Sequence, residues 1–345
     1  MDEQRIKQPT RHTVYVARQD SLVYSQKGRL VVDSKSKGRL LDVPSSHVAR
    51  LVCFGSVSVS AGVRSWALMN GIDVLFLSRK GSYLGQLLAG HAPGRIDRLR
   101  AQLAAADDPD RSLAFARQVV LAKTRHQIKV LQRFSVRAAA AETAPRVEAM
   151  RGLCDAVKTA ESVPVAMGIE GAAAKEYFAA LALLVPEDMA FDGRSRRPPL
   201  DLFNAALSYA YAILLGECTS ALVAAGLDPQ IGMLHAKQAR RQSLALDLME
   251  EFRPLAVDQV VIRLCRRGSL KASHGAASTA EGGIFLNKEG KGILIDGYEK
   301  RMLQATSGAL QGFSGTLRRH VFRQAELLAA FIDGRRQTWT GLSWR

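Results

Sequence analysis

The sequence predicts an α+β protein with two domains, a small β-sheet domain followed by a larger, mostly helical one. Its 345 residues suffice for two domains, because a domain has roughly 100–200 residues. Short β-branched or aromatic runs occupy the first part of the chain, whereas the rest is rich in alanine and leucine at helical spacing. The segment Gly90-His-Ala-Pro-Gly94 separates them, since proline and glycine together end regular structure. We therefore expect domains at residues 1–93 and 94–345.

The first domain is predicted to be a sandwich-like sheet structure that carries one helix. Its expected strands are Thr13–Val16, Ser21–Gln26, Arg29–Asp33, Val48–Phe54, Ile72–Leu77 and Ser82–Leu88. Hairpin turns are predicted at Lys27-Gly28 and Lys37-Gly38. Residues 60–70 instead place Val63, Trp66 and Ala67 at helical spacing and stop before Gly71, a residue that suits a helix C-cap.

The second domain is predicted to consist mainly of amphipathic helices. The expected helices are Arg95–Ala106, Ser112–Ala139, Ala144–Thr159, Gly171–Leu184, Pro199–Ala225, Ser243–Phe252, Pro254–Cys265, Tyr298–Ser307 and Gly315–Arg335. A short hairpin is expected to pair Gly283–Leu286 with Gly292–Ile295. The most apolar stretch, Ala205–Leu227, is interrupted by Glu217, so we expect a buried helix and no membrane span. The tail from Arg335 to Arg345 has no clear period.

Composition excludes several classes of protein. A hydrophobic fraction of 47% with 23% charged residues excludes global disorder. The charged N-terminus lacks the apolar core of a secretory signal, and the four scattered cysteines form no C-x-x-C pair. We therefore expect buried free thiols, no structural zinc or disulfide framework, and a cytoplasmic location.

The charge indicates the chemical class of the partner. Lysine and arginine number 48 against 32 acidic residues, which gives a formal charge of +16. A surplus this large favours a polyanion, because each neutralised phosphate releases counterions. No strongly basic amphipathic stretch favours a membrane surface, so nucleic acid is the expected partner.

Three segments place candidate metal ligands among apolar residues. Glu170 is expected at or just inside a helix start, where it is either a first-turn acid or a carboxylate ligand. His235 is expected in a loop, as a structural residue or an imidazole ligand. Asp247 shares a helix face with Glu250 and Glu251, where like charges repel unless an arginine or a divalent cation compensates them. Together these residues predict a mixed oxygen and nitrogen site suited to Mg²⁺ or Mn²⁺.

Basic clusters lie close to these acids in sequence and are either solvated surface or DNA contacts. The candidate DNA-binding residues are Arg194, Arg196, Arg197, Lys237, Arg240 and Arg241. Acidic ligands bracketed by basic residues are what metal-dependent phosphodiester chemistry requires, because the cation assists the reacting oxygens while arginine and lysine hold flanking phosphates.

These motifs resemble those of the CRISPR spacer-acquisition integrase family, the CRISPR-associated endonuclease numbered one. The pattern G-I-E-G-x-x-A-x-x-Y-F at Gly168–Phe178 is similar to the family's first metal-ligand motif. Leu234-His235 and the segment Asp247–Pro254 are similar to the second and third. The run Gly193–Asp201 resembles members from type I-C systems most. The order and spacing agree over essentially the whole chain.

The resemblance implies an enzyme that inserts captured DNA fragments into the CRISPR array. A 3′-hydroxyl of the fragment would attack a phosphodiester at the repeat boundary, with Glu170, His235 and Glu250 as the ligands of Mg²⁺ or Mn²⁺. Asp247 would be an auxiliary acid, and Tyr209 and Tyr211 are candidate active-site neighbours or core aromatics. Because Glu251 adjoins Glu250, only the motif register selects between them.

The resemblance also implies partners. These are double-stranded DNA (protospacer and repeat), a second copy of the chain bound through the N-terminal domain, and the small ferredoxin-like subunit numbered two. Two alternatives stay open at this point: a stand-alone metal-dependent DNA nuclease, and a non-catalytic DNA-binding scaffold whose acids only cap helices.

Overall fold

The computed structural model describes residues 12–79, 83–87, 95–135, 138–235, 241–277 and 282–344. The chain forms two compact units that divide between Pro93 and Gly94. Within these described residues, the first unit contains two four-stranded sheets and one α-helix, and the second is mostly helical. The predicted α+β class, with a sheet region followed by a helical region, is confirmed.

The two sheets of the first unit differ in strand direction. One contains β1 (His12–Val16), β5 (Val48–Phe54), β7 (Asp73–Leu77) and β8 (Tyr83–Leu87) in that order, parallel except for β8. The other contains β4 (Gly38–Pro44), β3 (Arg29–Ser34), β2 (Ser21–Gln26) and β6 (Val57–Val59), antiparallel except for β6. The sequence pattern does not predict β4 and β6, because β4 is largely exposed and β6 has three residues.

Apolar side chains from both sheets and from α1 (Ala61–Met69) form one core. Its fully buried members include Val23, Leu30, Leu51, Val63 and Val74. The helix starts where Ser60 Oγ accepts a hydrogen bond from the Val63 amide at 3.3 Å. A two-residue turn at Lys27-Gly28, both with positive φ, joins β2 to β3 as predicted. The sandwich-like packing around a shared core is confirmed.

Nine helices and two short hairpins form the described part of the second unit. The helices are α2 (Arg95–Asp107), α3 (Pro109–Phe134), α4 (Ala138–Lys158), α5 (Val163–Ala182), α6 (Leu202–Ala224), α7 (Ser243–Phe252), α8 (Gln259–Arg266), α9 (Lys288–Met302) and α10 (Leu317–Ile332). The hairpins pair β9 (Gly275–Ala277) with β10 (Ile284–Leu286), and β11 (Ala305–Leu310) with β12 (Phe313–Thr316). Helix α3 packs on α4, α5 and α7, and this group of helices carries the candidate site.

Helix α6 is the most apolar element. Its segment Leu202–Val223 is long and apolar enough to cross a membrane, but 78% of its apolar window is buried inside the protein. The prediction of a buried core helix is confirmed. The four cysteines are also buried free thiols, as expected.

The predicted hairpin at Gly283–Ile295 is wrong in its second strand. Residues Ile284–Leu286 form β10 but pair with β9, and helix α9 begins directly afterwards. Asn287 explains the difference, because its side chain accepts a hydrogen bond from the Gly290 amide and caps the helix. Gly290 also lets α9 approach its neighbour, since a Cβ there would lie 2.9 Å from His274 Cβ.

Two predicted helices extend further than the helices in the structure. The one expected over Ser112–Ala139 ends at Phe134, and the one over Tyr298–Ser307 ends at Met302. The β11–β12 hairpin fills the interval before α10, which starts one residue after its N-cap Thr316. Periodicity alone does not separate such adjoining elements.

The C-terminal tail is ordered by packing against the helices. Trp339 is 2% exposed, and its ring centroid lies 5.0 Å from that of Phe115 on α3. The Ser343 amide donates to the Ala309 carbonyl of β11. Gly341 passes so close to α3 that a Cβ on it would meet Ala122 Cβ at 2.3 Å. The tail therefore belongs to the core of the second unit.

Candidate active site

Helix α5 presents Glu170 well inside its length. The helix begins after Ser162, whose side chain accepts from the Val165 amide, and Pro164 lies in its first turn. The expectation that Glu170 lies at a helix start is therefore wrong, and its preference for the N-terminal dipole does not explain its position. The Glu170 side chain is 27% exposed and forms an ion pair with Lys123 of α3.

Lys123 joins two of the predicted ligands. Its side chain is 8% exposed, and besides Glu170 its Nζ lies 2.5 Å from Glu250 Oε2 of α7. Sequence reasoning missed this residue. The available signal was its position, because Lys123 shares the buried face of α3 with Val119, Val120 and Val130 at helical spacing. A lysine on such a face requires acidic partners from other elements.

Asp247 organises the loop that carries His235. Its carboxylate accepts hydrogen bonds from the amides of Met233, Leu234 and His235, at 2.8, 3.0 and 2.9 Å. Its Oδ1 also lies 2.7 Å from His235 Nδ1. Asp247 is fully buried, so its carboxylate orients the His235 imidazole and is not exposed to a substrate. With Nδ1 protonated towards Asp247, Nε2 keeps its lone pair for a ligand role.

Glu250 is held ionised by neighbouring cations. Burial of its side chain would raise its pKa, but Arg253, Lys123 and His235 together lower it to about 2. Arg253 Nε lies 3.3 Å from Glu250 Oε1, in the first turn of a π-helical stretch, Arg253–Asp258, that follows α7. The predicted helix Pro254–Cys265 is therefore a π-helical turn followed by α8.

Behind Arg253 lies a buried carboxyl that the sequence did not single out. Asp258 accepts hydrogen bonds from the hydroxyls of Tyr177 and Tyr211, at 2.8 and 2.5 Å. Burial raises the pKa of Asp258 to about 6, although both tyrosine hydrogen bonds oppose this. The Arg253 guanidinium lies 4.6 Å from the Tyr211 ring centroid, so Tyr211 supports the arginine that faces Glu250.

The second candidate tyrosine points elsewhere. Tyr209 and Tyr211 are two residues apart on α6, which places their side chains on nearly opposite faces. The Tyr209 ring centroid lies 5.4 Å from Lys291 Nζ of α9. Of the two predicted neighbours, the structure brings only Tyr211 to the acidic cluster.

Glu251 points away from the Lys123 cluster, because adjacent side chains on a helix project about 100° apart. Its Oε2 accepts hydrogen bonds from the Leu342 amide of the tail at 2.7 Å and from Gln324 Nε2 of α10 at 3.2 Å. Burial raises the pKa of Glu251 to about 8, against these two hydrogen bonds. The geometry thus associates Glu250, and not its neighbour, with Lys123 and Glu170.

The donor set of this cluster suits a divalent cation. Two carboxylates, from Glu170 and Glu250, already share one positive group, the Lys123 ammonium. Among the described residues, however, no three His, Cys, Asp or Glu side chains converge closely enough to hold a metal ion. The Lys123 ammonium lies where such an ion would compensate both carboxylates.

The predicted basic residues differ in their exposure. Arg194 is engaged within the protein, since Nη1 donates to Asn204 Oδ1 at 2.8 Å and Nη2 to Ser208 Oγ at 3.0 Å. Arg196 and Arg197 are exposed, and Arg241 is half-buried. Lys237 and Arg240 lie outside the described residues. Arg194 therefore orders the segment before α6, whereas Arg196 and Arg197 are accessible to a ligand.

A model of the family described as CRISPR associated protein Cas1 matches residues 14–300 of the chain. The chain belongs to the Cas1 family. A CRISPR-associated endonuclease Cas1 of Thermus thermophilus is 36% identical over 336 residues, which is 96% of this chain and 100% of that relative. The resemblance found in the motifs is confirmed at the level of the family, and the likeness to type I-C members stays a prediction.

Solved structures share the Cas1 fold over nearly the whole chain. A casposase bound to an integration product has a TM-score of 0.81 and 21% identity, and the match covers 95% of this chain and 92% of that one. A Cas6-RT-Cas1–Cas2 complex has a TM-score of 0.80 and 24% identity, over 98% of this chain and 36% of that one. At these identities the likeness shows the fold alone.

Proposed function

We propose that the chain is a metal-dependent DNA endonuclease and integrase of CRISPR adaptation, which inserts captured DNA fragments into the CRISPR array. The observation that carries the proposal is the meeting of Glu170 and Glu250 at Lys123, from helices far apart in sequence, in a member of the Cas1 family. The names of relatives support it, since one is an endonuclease and another is a casposase bound to its integration product.

The reaction proposed is a transesterification, in which a 3′-oxygen of the fragment forms a bond to a phosphorus of the repeat. The bond from that phosphorus to one of its repeat-strand oxygens breaks, and the displaced strand end leaves as a hydroxyl. Glu170, His235 and Glu250 would hold Mg²⁺ or Mn²⁺, which stabilises charge on the phosphate and favours deprotonation of the attacking hydroxyl. Asp247 fixes the orientation of His235 through Nδ1. Lys123 forms ion pairs with both carboxylates and Arg253 forms one with Glu250, so the two cations keep the acids ionised. A bound metal ion would take the place of the Lys123 ammonium between them.

The proposed partners are DNA, a second copy of this chain and the small Cas2 subunit. The charge of +16 supports DNA, and the structural match to a Cas1–Cas2 complex supports the small subunit. We assign dimerisation to the first unit, which exposes Leu40, Met69 and Leu84, and catalysis to the second. The cytoplasm is the proposed location.

Strand transfer into a repeat duplex tests the proposal. The substrate is a CRISPR repeat duplex with a supplied fragment that ends in a 3′-hydroxyl, incubated with Cas2 and Mg²⁺ or Mn²⁺. We expect joined product from the wild type, and a loss of more than about 100-fold in Glu170→Gln, His235→Ala and Glu250→Gln, because even residues behind metal ligands change activity by 10–100-fold.

The exposed carboxylate Glu326 on α10 provides the control, and Glu326→Gln should keep full activity. Hydrolysis of the repeat without joining would favour a stand-alone nuclease. Unchanged DNA processing in all three site variants would favour a non-catalytic scaffold. Far-UV circular dichroism and DNA affinity verify that the variants remain folded.

A further inference from the structure

The second unit contains a basic cleft between α8 and α9 that none of the predicted site residues lines. Its volume is about 460 Å³. We call it the α8–α9 cleft, and its charged lining residues are Arg263, Arg267, Asp296, Lys300 and Arg301. Four cations thus face one acid across a single cleft.

Arg301 forms the buried part of the cleft. It is 4% exposed, its Nε donates to the Leu255 carbonyl at 2.7 Å, and its Nη1 donates to Gln304 Oε1 at 2.8 Å. Its Nη2 is buried and has no hydrogen-bond partner among the described residues. The guanidinium also stacks on the Trp344 ring, whose centroid lies 4.7 Å from Arg301 Cζ. A buried guanidinium N–H without an acceptor is costly, and an anion bound against Arg301 would supply one.

The cations of the cleft repel one another. Burial, together with the nearby charges of Arg263 and Arg133, lowers the pKa of Arg301 to about 10. Burial also lowers the pKa of Arg263, and Arg133 and Arg267 act in the same direction. Arg263 is therefore close enough to lower the pKa of Arg301, and Arg267 to lower that of Arg263, so positive charge accumulates along the cleft.

A purely structural explanation accounts for part of this arrangement. Arg263 lies in the last turn of α8, and Lys300 and Arg301 lie in the last turn of α9, where the helix dipole favours cations. The helix dipole does not explain why the Arg301 guanidinium is buried with an N–H that has no acceptor in the described part of the chain. It also does not explain why Arg267 and Lys300 line the same cleft. Arg267 and Lys300 are exposed, so they flank the cleft at the surface.

We propose that the α8–α9 cleft binds a backbone phosphate of the DNA on which the chain acts, with Arg301 at its base and Arg263, Arg267 and Lys300 around it. The proposal rests on the proposed function, since DNA supplies the phosphate. Arginine suits this role because its planar guanidinium donates two parallel hydrogen bonds to phosphate oxygens. The cleft would hold DNA at a point additional to the Glu170 cluster.

The test uses the double variant Arg267→Gln/Lys300→Gln, which removes the exposed cations and leaves Arg301 in place. Its matched control is Arg323→Gln/Arg335→Gln, which removes two exposed cations that form ion pairs on or after α10. Affinity for a repeat duplex is measured between 50 and 200 mM salt. The slope of log affinity against log salt should fall by about 0.9 for each lost phosphate contact in the cleft variant, and should stay unchanged in the control.

Thermal unfolding without DNA gives a second readout. Inorganic phosphate should raise the melting temperature of the wild type more than that of the cleft variant. In the absence of phosphate the cleft variant should be at least as stable as the wild type, because it loses like-charge repulsion.

Several results would overturn the proposal. These are a salt slope equal to that of the wild type, a cleft variant less stable than the wild type in the absence of phosphate, or stabilisation by free phosphate with no change in the DNA slope. The last would assign the cleft to a small phosphate ion only. If the salt slopes of the wild type and the cleft variant differ as expected but the wild type joins no strands, the proposed function fails and the cleft assignment stands.

Discussion

The two faces of helix α7 carry adjacent buried glutamates in opposite electrostatic states. On one face Glu250 meets Lys123 and Arg253, and its pKa falls to about 2. On the other face Glu251 meets the Leu342 amide and the Gln324 side chain, both uncharged, and burial raises its pKa to about 8. Both side chains are buried, so burial alone does not determine the charge. Neighbouring cations decide which glutamate is ready to act as an anion.

The faces also differ in what holds them. The acidic face is fixed by long-range charge pairs to α3 and by the Asp247 loop, while the tail face is fixed by packing and backbone hydrogen bonds. His126 of α3 illustrates the second type, since its ring nitrogens lie 2.8 and 2.9 Å from the carbonyl oxygens of Glu251 and Leu342. Four variants separate these contributions.

The largest expected effect is that of Trp339→Ala on the tail face. Trp339 is 2% exposed and donates its indole N–H to the Gln324 carbonyl at 3.3 Å. Removing a buried tryptophan costs about 3–5 kcal/mol, which urea unfolding measures directly. The half-buried Trp344 is the control, and its alanine variant should lose less stability. If the two faces are independent, the Mn²⁺ affinity of the folded Trp339→Ala variant should stay close to that of the wild type. A loss of Mn²⁺ affinity together with the loss of stability would show that the two faces act as one unit.

An intermediate effect is expected for Asp247→Asn on the acidic face. The asparagine presents an NH₂ group towards backbone amides that now donate to a carboxylate, which should cost about 1–3 kcal/mol per unsatisfied group. Orientation of His235 is lost as well, so divalent affinity measured by calorimetry should fall by about 10–100-fold. Asp155→Asn, on the exposed face of α4, is the control. Unchanged affinity would contradict a positioning role for Asp247.

Periodicity and turn residues sufficed for the class of fold and for most elements. The two-residue turn at Lys27-Gly28 and the helix at Ser60 follow from local chemistry that the sequence displays. The wrong second strand near Gly292 has a local cause too, because Lys288-Glu-Gly290 resembles a turn unless Asn287 is recognised as a helix cap. Errors of this type arise where two local signals compete.

The candidate site was predicted less completely for a different reason. Motif spacing selected Glu170, His235 and Glu250, but it carries no information about which other elements face them. Lys123 is 47 residues from Glu170, and only the packing of α3 against α5 and α7 brings it there. The position of Glu170 within α5 likewise depends on the cap at Ser162, which lies outside the motif.

The last expected effect is a change in how stability depends on pH, measured with a chelator present. Glu251 has a pKa raised from 4.5 to about 8, so the stability it contributes is full below pH 4.5 and is lost as the pH rises towards 8. Glu250 has a pKa lowered to about 2, so its contribution is present above pH 4.5 and is lost as the pH falls towards 2. Glu251→Gln should therefore gain stability relative to the wild type between pH 5 and 8, by at most about 1.4 kcal/mol per pH unit. Glu250→Gln should leave the pH dependence of stability between pH 5 and 8 unchanged, and should alter that dependence only below pH 4.5. Urea midpoints at several pH values measure both variants, and parallel curves for Glu251→Gln and the wild type would show that Glu251 is ionised in the folded protein.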